Sequence, residues 1–338
     1  MRVLVTGGAG YIGSHTVVEL CEAGFDVTIA DNFINSKQEA VRRTQMLCKR
    51  PLDFIYCDLR DPKATDDIFK SRKIDAVIHF AALKAVGESV RMPLQYYENN
   101  LYSSINILLS MQRHKVSKMV FSSSATVYGV PDALPIREDF PVKTTNPYGA
   151  TKLIIEDIMR DAAFADKSLS VSLLRYFNPI GAHPSGLIGE DPNGIPNNLF
   201  PSVAKVAVGK LPVINVYGND YNTPDGTGVR DYIHVVDLAR GHISALKQII
   251  DTEGVFTYNL GTGKGYSVLE LIAAFEKACG FSLPYRIVGR RAGDTDSCYA
   301  DVTKAAEELG WRTEFTLEDM CRDGWNFQQK NPDGYPED

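Results

Sequence analysis

The chain opens with Val3-Leu4-Val5-Thr6 running straight into Gly7-Gly8-Ala9-Gly10-Tyr11-Ile12-Gly13. No other segment constrains the fold as much. A short apolar run, a glycine-dense turn and a helical pattern (Ile12, Val17, Leu20) follow one another without a linker. The glycines satisfy both GxGxxG (Gly8, Gly10, Gly13) and GxxGxxG (Gly7, Gly10, Gly13). Residues without Cβ let the chain turn tightly out of a strand while its backbone approaches a pyrophosphate. The helix start then offers free N–H groups and a positive dipole end to that anion. The unit predicts a parallel sheet that holds a dinucleotide at its strand ends.

The rest of the first half repeats the same alternation. Candidate strands are Arg2–Thr6, Asp26–Ala30, Asp53–Cys57, Asp75–His79, Lys118–Ser122 and Ser170–Arg175, with helix-length segments between them. This predicts an α/β class, a Rossmann-like doubly wound sheet. Residues 178–230 are rich in Pro, Gly and Asn and read as turns and loops. Arg230–Val236 then reads as a strand and Val268–Cys279 as an amphipathic helix. The expected division is a nucleotide-binding domain over 1–177, with segments near 230–255 returning to it. A smaller α/β substrate domain is expected over 178–338.

Composition narrows the function classes. Of the 338 residues 44% are hydrophobic and 23% charged, which excludes a disordered chain. Lys and Arg number 36 against 42 acids, a net charge of -6, so a nucleic-acid partner is disfavoured. The sequence contains no apolar run of the length that spans a bilayer and no signal-peptide pattern at its start, so no membrane partner is expected. The cysteines are scattered without a CxxC pair, and the histidines lack metal spacing, so no metal is expected. A reducing, cytoplasmic setting is the natural expectation.

Asp31 ends the second strand, 18 residues beyond Gly13. A carboxylate there accepts from adenosine ribose hydroxyls and repels a 2′-phosphate. The next arginine is Arg42, so NAD is favoured over NADP. Asp58, after the third strand, is a second candidate for the adenine side, though a helix cap would look the same. Further on, Asn146-Pro147 reads as a helix start, N-cap then N1. Tyr148 and Lys152 then share one face, four residues apart. Tyrosine ionises near pH 10 in water, too high for a base at neutral pH. An ammonium, the helix dipole and a positive nicotinamide ring would each favour the phenolate. Ser122-Ser123-Ser124 falls at a strand end, where one hydroxyl could bond the group the tyrosine deprotonates, or simply cap the strand.

These three features together resemble the extended short-chain dehydrogenase/reductase superfamily. Phe80–Ser89 (FAALKAVGES), Ser122–Gly129 (SSSATVYG), Leu174–Pro179 (LRYFNP), Gly181–Gly186 (GAHPSG), Gly194–Leu199 (GIPNNL), Asp225–His234 (DGTGVRDYIH) and Asn259–Gly261 (NLG) narrow it. They resemble the UDP-glucose 4-epimerase family over essentially the whole chain. The resemblance implies NAD lined by Gly7, Gly10, Tyr11, Ile12, Gly13, Asp31, Asn32, Asn35, Ser36, Asp58, Leu59, Phe80, Ala81, Ala82, Lys84, Asn99, Ser122 and Phe177, with Tyr148 and Lys152. It implies a catalytic set of Tyr148, Lys152 and Ser124. It implies a UDP-sugar held by Asn178, Asn197, Asn198, Leu199, Asn215, Val216, Tyr217, Arg230, Tyr232, Arg291 and Asp294, besides Lys84, Ser124 and Tyr148. Tyr148 would take the 4-OH proton as C4 gives up hydride, and a 4-keto sugar would turn over before both return.

In this family a small residue at one wall position goes with N-acetylated sugars and a tyrosine with plain hexoses. Counting from Arg291 and from Ala300-Asp301 places Cys298 there, which implies room for a 2-acetamido group; a slip of one residue would bring Tyr299 instead. The resemblance also implies a homodimer through helices, for which apolar faces in 94–111 and 150–163 are available or else face the sheet. A related 4,6-dehydratase is disfavoured, because Ser124-Ala125-Thr126-Val127 carries no carboxylate pair. A non-catalytic NAD-binding sensor would not need both Tyr148 and Lys152.

Overall fold

The structure is a computed structural model that describes residues 1–192, 196, 198–291 and 293–336. Its framework is a seven-stranded parallel sheet. The strands are β1 (Arg2–Thr6), β2 (Asp26–Asp31), β3 (Asp53–Tyr56), β4 (Ala76–His79), β5 (Lys118–Ser124), β6 (Ser170–Tyr176) and, much later, β10 (Val255–Leu260). Their spatial order is β10-β6-β5-β4-β1-β2-β3. From β1 the chain first builds outward through β2 and β3, then returns to build the other way from β4. The order therefore reverses between β1 and β4, and a crevice opens at the C-terminal ends there.

Both faces of this sheet are covered, so its strands are apolar on both sides. Val3 and Val5 join one core with Val17 and Leu20 of α1 (Tyr11–Glu22) and Leu238, Ile243 and Leu246 of α8 (Val235–Asp251). Leu4 points the other way, into a core with α3 (Pro62–Ser71), α5 (Pro93–His114) and α6 (Pro147–Ala165). Two shorter helices, α2 (Gln38–Cys48) and α4 (Val86–Arg91), and a 3₁₀ turn (Ala125–Tyr128) complete this half.

The second half carries β7 (Asn178–Ile180), α7 (Leu199–Ala207), β8 (Ile214–Tyr217), β9 (Val229–His234), β11 (Gly265–Ser267), α9 (Val268–Cys279), β12 (Tyr285–Val288), β13 (Ser297–Cys298), α10 (Thr303–Glu308) and α11 (Leu317–Lys330). Here β9 pairs with β7, β11 and β13, and β8 pairs with β12. The core of this half joins α7, α9 and α11 to these strands through Phe200, Val203, Val216, Leu271, Phe275 and Met320. The helix expected over Val268–Cys279 forms with those bounds, set by a Ser267–Glu270 capping box and by Gly280 at φ 86°.

Two expectations need correction. The strand read over Arg230–Val236 ends at His234, and Val235 and Val236 open α8. His234 stops the strand by capping that helix: its Nδ1 accepts from Val236 N at 3.0 Å. Residues 178–230, read as turns and loops, also hold β7, α7, β8 and the start of β9. Their apolar positions (Phe200, Val203, Ile214, Val216) are buried, which overrides the turn-rich composition around them.

Candidate active site

The first βα turn is built without room for side chains. Gly7 has φ +68°, and a Cβ there would lie 2.8 Å from the Ala81 amide nitrogen. On Gly13 a Cβ would meet the Gly7 carbonyl oxygen at 2.2 Å. The loop therefore packs backbone on backbone, and α1 begins right at it with its first N–H groups lacking intrahelical partners. Asp31 ties the turn to β2: its carboxylate accepts from Ala9 N at 3.0 Å, Phe33 N at 2.9 Å and Ser36 Oγ at 2.9 Å. Burial pushes its pKa up, and these donors pull it back.

A single cavity runs from this turn across the sheet ends. It is lined by Gly7, Gly10, Tyr11, Ile12, Gly13, Asp31, Asn32, Asn35, Ser36, Asp58, Leu59, Phe80, Ala81, Ala82, Lys84, Asn99, Ser122, Tyr148, Lys152 and Phe177. Ser124, Asn178 and Asn198 line it too. Asp58 is held by Arg60, whose guanidinium lies 2.6 Å away and lowers its pKa.

At the β5 end, helix α6 starts as the sequence predicts. Asn146 Oδ1 accepts from Gly149 N at 2.9 Å, and Pro147 stands at N1. Tyr148 and Lys152 are buried on the helix face toward the sheet. Lys152 Nζ donates to the Ser122 carbonyl at 2.6 Å and lies 5.9 Å from the centre of the Tyr148 ring. The expectation that Lys152 makes Tyr148 acidic is not met by the protein groups themselves. Burial pushes Tyr148 up to about 12, against a smaller pull from the Ser124 hydroxyl. Burial also brings Lys152 down to about 7, against a smaller pull from Glu156 toward its charged form. Ser124 caps the 3₁₀ turn, accepting from Thr126 N at 3.3 Å, and its hydroxyl also sits beside Tyr148.

The remaining candidates lie off this cavity, in the second half. Arg230 and Arg291 both face Asp294, at 3.7 and 3.0 Å, and the Arg291 guanidinium stacks 4.8 Å from the Tyr217 ring centre. Asn215 Oδ1 accepts from Arg286 Nε at 2.7 Å. Leu199 opens α7 and packs partly against the core. Tyr232 is buried, which drives its pKa up to about 12. The Val216 side chain is corrected out of any ligand-facing set, since it is fully packed in the core, leaving only its backbone. Asn197 lies outside the described residues. Cys298 pairs with Arg230 across β13 and β9 and packs against the cluster of Val127, Tyr128, Ile136 and Phe177. Tyr299 turns toward Gly265 instead, where its ring lies 3.1 Å from where a Cβ would stand.

Some cavity groups escaped the sequence reading. Tyr176 hydrogen-bonds Ser122 Oγ from the neighbouring strand. Lys37, Glu190, Asp191 and Tyr335 line the wall. Lys37 and Tyr335 are 298 positions apart and lie in no pattern that would pair them. Beneath the strand ends Glu156, one turn beyond Lys152, accepts from Ser123 Oγ at 2.5 Å and from Arg175 at 2.6 and 2.9 Å. The i+4 step from Lys152 to Glu156 was a legible hint of this layer.

Comparison with known proteins adds an independent line. Residues 4–324 match a family model described as GDP-mannose 4,6 dehydratase. The chain is 58% identical over 335 residues to the UDP-glucose 4-epimerase of Bacillus subtilis (strain 168), covering 99% of both chains. The chain belongs to the UDP-glucose 4-epimerase family. The crystal structure of the Bifidobacterium longum UDP-glucose 4-epimerase, in complex with NAD+ and UDP, superimposes with a TM-score of 0.96 at 57% identity, covering 99% of this chain and 100% of that one. The Stenotrophomonas maltophila UDP-glucose-4-epimerase, with bound NAD and formylated UDP-arabinopyranose, gives 0.96 at 50% identity, covering 98% and 99%. The dehydratase description belongs to the broader model. In this chain the turn after Ser124 is Ala125-Thr126-Val127-Tyr128, without an acid for elimination. The match to known proteins also fits the fold, a mostly parallel Rossmann-like sheet.

Proposed function

We propose that the chain is an NAD-dependent isomerase that interconverts UDP-glucose and UDP-galactose by inverting C4, with Tyr148 as the base. The observation that carries this is the meeting of the glycine turn, Asp31, Ser124, Tyr148 and Lys152 on one cavity. The residues fit NAD. A turn that no Cβ could enter faces the start of α1, as a pyrophosphate requires, and a carboxylate ends β2 for ribose hydroxyls. The relatives solved with NAD support the same cofactor. Bound NAD takes up hydride from C4 and gives it back.

The chain's own part is proton handling and positioning. Tyr148 accepts the 4-OH proton and returns it from the same position, while Ser124 holds that oxygen. Both must face the hexose, so most other contacts belong to the UDP part, and the 4-keto sugar turns within a loose pocket. The group of Arg230, Arg291 and Tyr217 around Asp294 supports a phosphate and uridine site in the second half. With burial holding Tyr148 up near 12, the positive charge of the oxidised cofactor would lower it toward the range of a working base.

The same reading extends to N-acetylated sugars, to a homodimer and to the cytoplasm. Support for the first is that Cys298, not Tyr299, packs toward Phe177 on the cavity wall. Support for the second is the apolar exposure on α5 and α6, where Leu94, Tyr102, Leu109, Ile154 and Phe164 face solvent. As to the third, no helix among the described residues is long and apolar enough to cross a membrane. The division into a nucleotide domain over 1–177 and a substrate domain beyond it is proposed with α8 and β10 assigned to the first, because β10 extends its sheet and α8 packs on α1.

The test is proton NMR of the anomeric region without added cofactor, with UDP-galactose and UDP-N-acetylgalactosamine in separate tubes. Conversion of both to the gluco epimers is expected. Conversion of UDP-galactose alone would keep the epimerase and remove the Cys298 argument. No change in either tube, even with NAD added, would overturn the reading.

A further inference from the structure

The segment after α11 is packed against the protein as far as Tyr335. It returns to the cofactor cavity and is tied there to two distant stretches of chain. Tyr335 is buried and lines the cavity. Its hydroxyl accepts from Gly189 N at 3.0 Å and donates to Gly189 O at 3.3 Å. Its amide donates to Asp191 Oδ2 at 2.9 Å. That same carboxylate meets Lys37 Nζ at 3.1 Å, and Lys37 also donates to the Tyr335 carbonyl at 3.1 Å. Gly334 stands at φ +82°, and a Cβ there would strike Asp191 at 2.3 Å, so the tail sits flush on the acid.

Lys37 immediately follows the Asp31–Ser36 loop, which is the adenosine side of the cavity. Arg43 of α2 adds to the tie, reaching Asn331 Oδ1 at 2.6 Å and stacking 5.1 Å from the Tyr335 ring centre. Beside it Glu190 holds Lys84 at 3.0 Å. Nothing in the dinucleotide chemistry requires the end of the substrate domain at this place. What it does there is join the two halves across the cavity's adenosine edge. A ligand clamped by such a joint leaves only when the joint opens, and release then follows the rate of local opening.

We propose that Lys37, Asp191 and Tyr335 form a clasp on the adenosine end of the cavity, making the C-terminal segment part of the cofactor site and setting the rate at which the dinucleotide leaves. The proposal rests on the reading of this cavity as an NAD site.

The test measures NAD release. Full-length protein is loaded with NAD and freed of excess. Released NAD is trapped by alcohol dehydrogenase with ethanol and followed as NADH. Lys37→Met keeps the stem of a half-exposed side chain and removes two contacts of the clasp. Tyr335→Phe removes two hydroxyl contacts and keeps the ring. Each is expected to speed release about ten-fold, the equivalent of ~1.4 kcal/mol. The double variant should release no faster than about the faster single, because both open one joint. Lys210→Met breaks the Lys210–Asp333 pair on the same tail, away from the cavity, and should leave release unchanged. Release at the wild-type rate in both singles would overturn the clasp, as would multiplying effects in the double or equal acceleration by Lys210→Met. A wild-type protein that retains no NAD after loading would overturn the clasp, whereas the function proposed above falls only if no epimerisation occurs with NAD added.

Discussion

Tyr148 and Lys152 show how far two residue types at the right spacing reach, and where they stop. Four positions apart on α6, they face the same way because helical geometry leaves no choice. Their ionisation is a different matter, because it follows from what surrounds them. Both are buried, and burial opposes charge on either one, raising the phenol and lowering the amine. Glu156 moderates this for Lys152 by favouring its charged form. A measurable consequence is that Tyr148 titrates near 12 in protein freed of NAD. With NAD bound, the positive ring should bring it down by about 1–3 units. The tyrosinate absorbance of wild type minus Tyr148→Phe reads both values. A Tyr148 titration that does not move with NAD would mean that the charge needed for base catalysis comes from elsewhere.

At the scale of elements, the site is held by contacts between neighbours in the sheet. Arg175 of β6, Ser123 of β5 and Glu156 of α6 meet in a buried group under the strand ends. Arg175 also donates to Tyr128 Oη at 3.0 Å, and Tyr128 donates to Asn259 of β10 at 2.7 Å. Helix α6 is thus fixed against three strands at the level of Lys152. Glu156 is fully buried, and if Arg175 is removed Arg160 is the one cation left to it, beside the Ser123 hydroxyl. Arg175→Met should cost roughly 3–5 kcal/mol of stability, the usual result of stranding one partner of a buried pair. Urea unfolding followed by circular dichroism measures it. A loss under about 1 kcal/mol would show that Arg160 and the Ser123 hydroxyl satisfy Glu156 without Arg175.

For the whole molecule the buried histidines set the behaviour in acid. Burial lowers His15 and His79 to about 3 and His242 to about 4. Unfolded, each titrates near 6.5. Between those values the unfolded chain binds protons that the native protein does not, so stability falls as pH drops below about 6.5. Each contributes up to about 1.4 kcal/mol per pH unit in that window. Asp31 and Asp231, pushed up by burial, act in the opposite sense and reduce the net slope. Urea midpoints between pH 7.5 and 4.5 should fall steadily, and His79→Gln should flatten the fall by about one proton. His79 is satisfied in the core by its bonds to Thr6 Oγ1 at 2.6 Å and Ser104 Oγ at 3.0 Å. What the sequence by itself determined is local: the glycine turn, the Asn146-Pro147 start of α6, the Ser267–Gly280 bounds of α9 and the Tyr148–Lys152 face. Each rests on sterics, capping or helical period within a few residues, so a single stretch of chain contains the whole cause. Only the tertiary structure decided which side Cys298 faces, that Val216 is core, that Arg230 meets Asp294 and that Tyr335 closes on Lys37. Those outcomes depend on packing between residues far apart in the chain, and no local pattern carries the position of a partner that folding alone brings near.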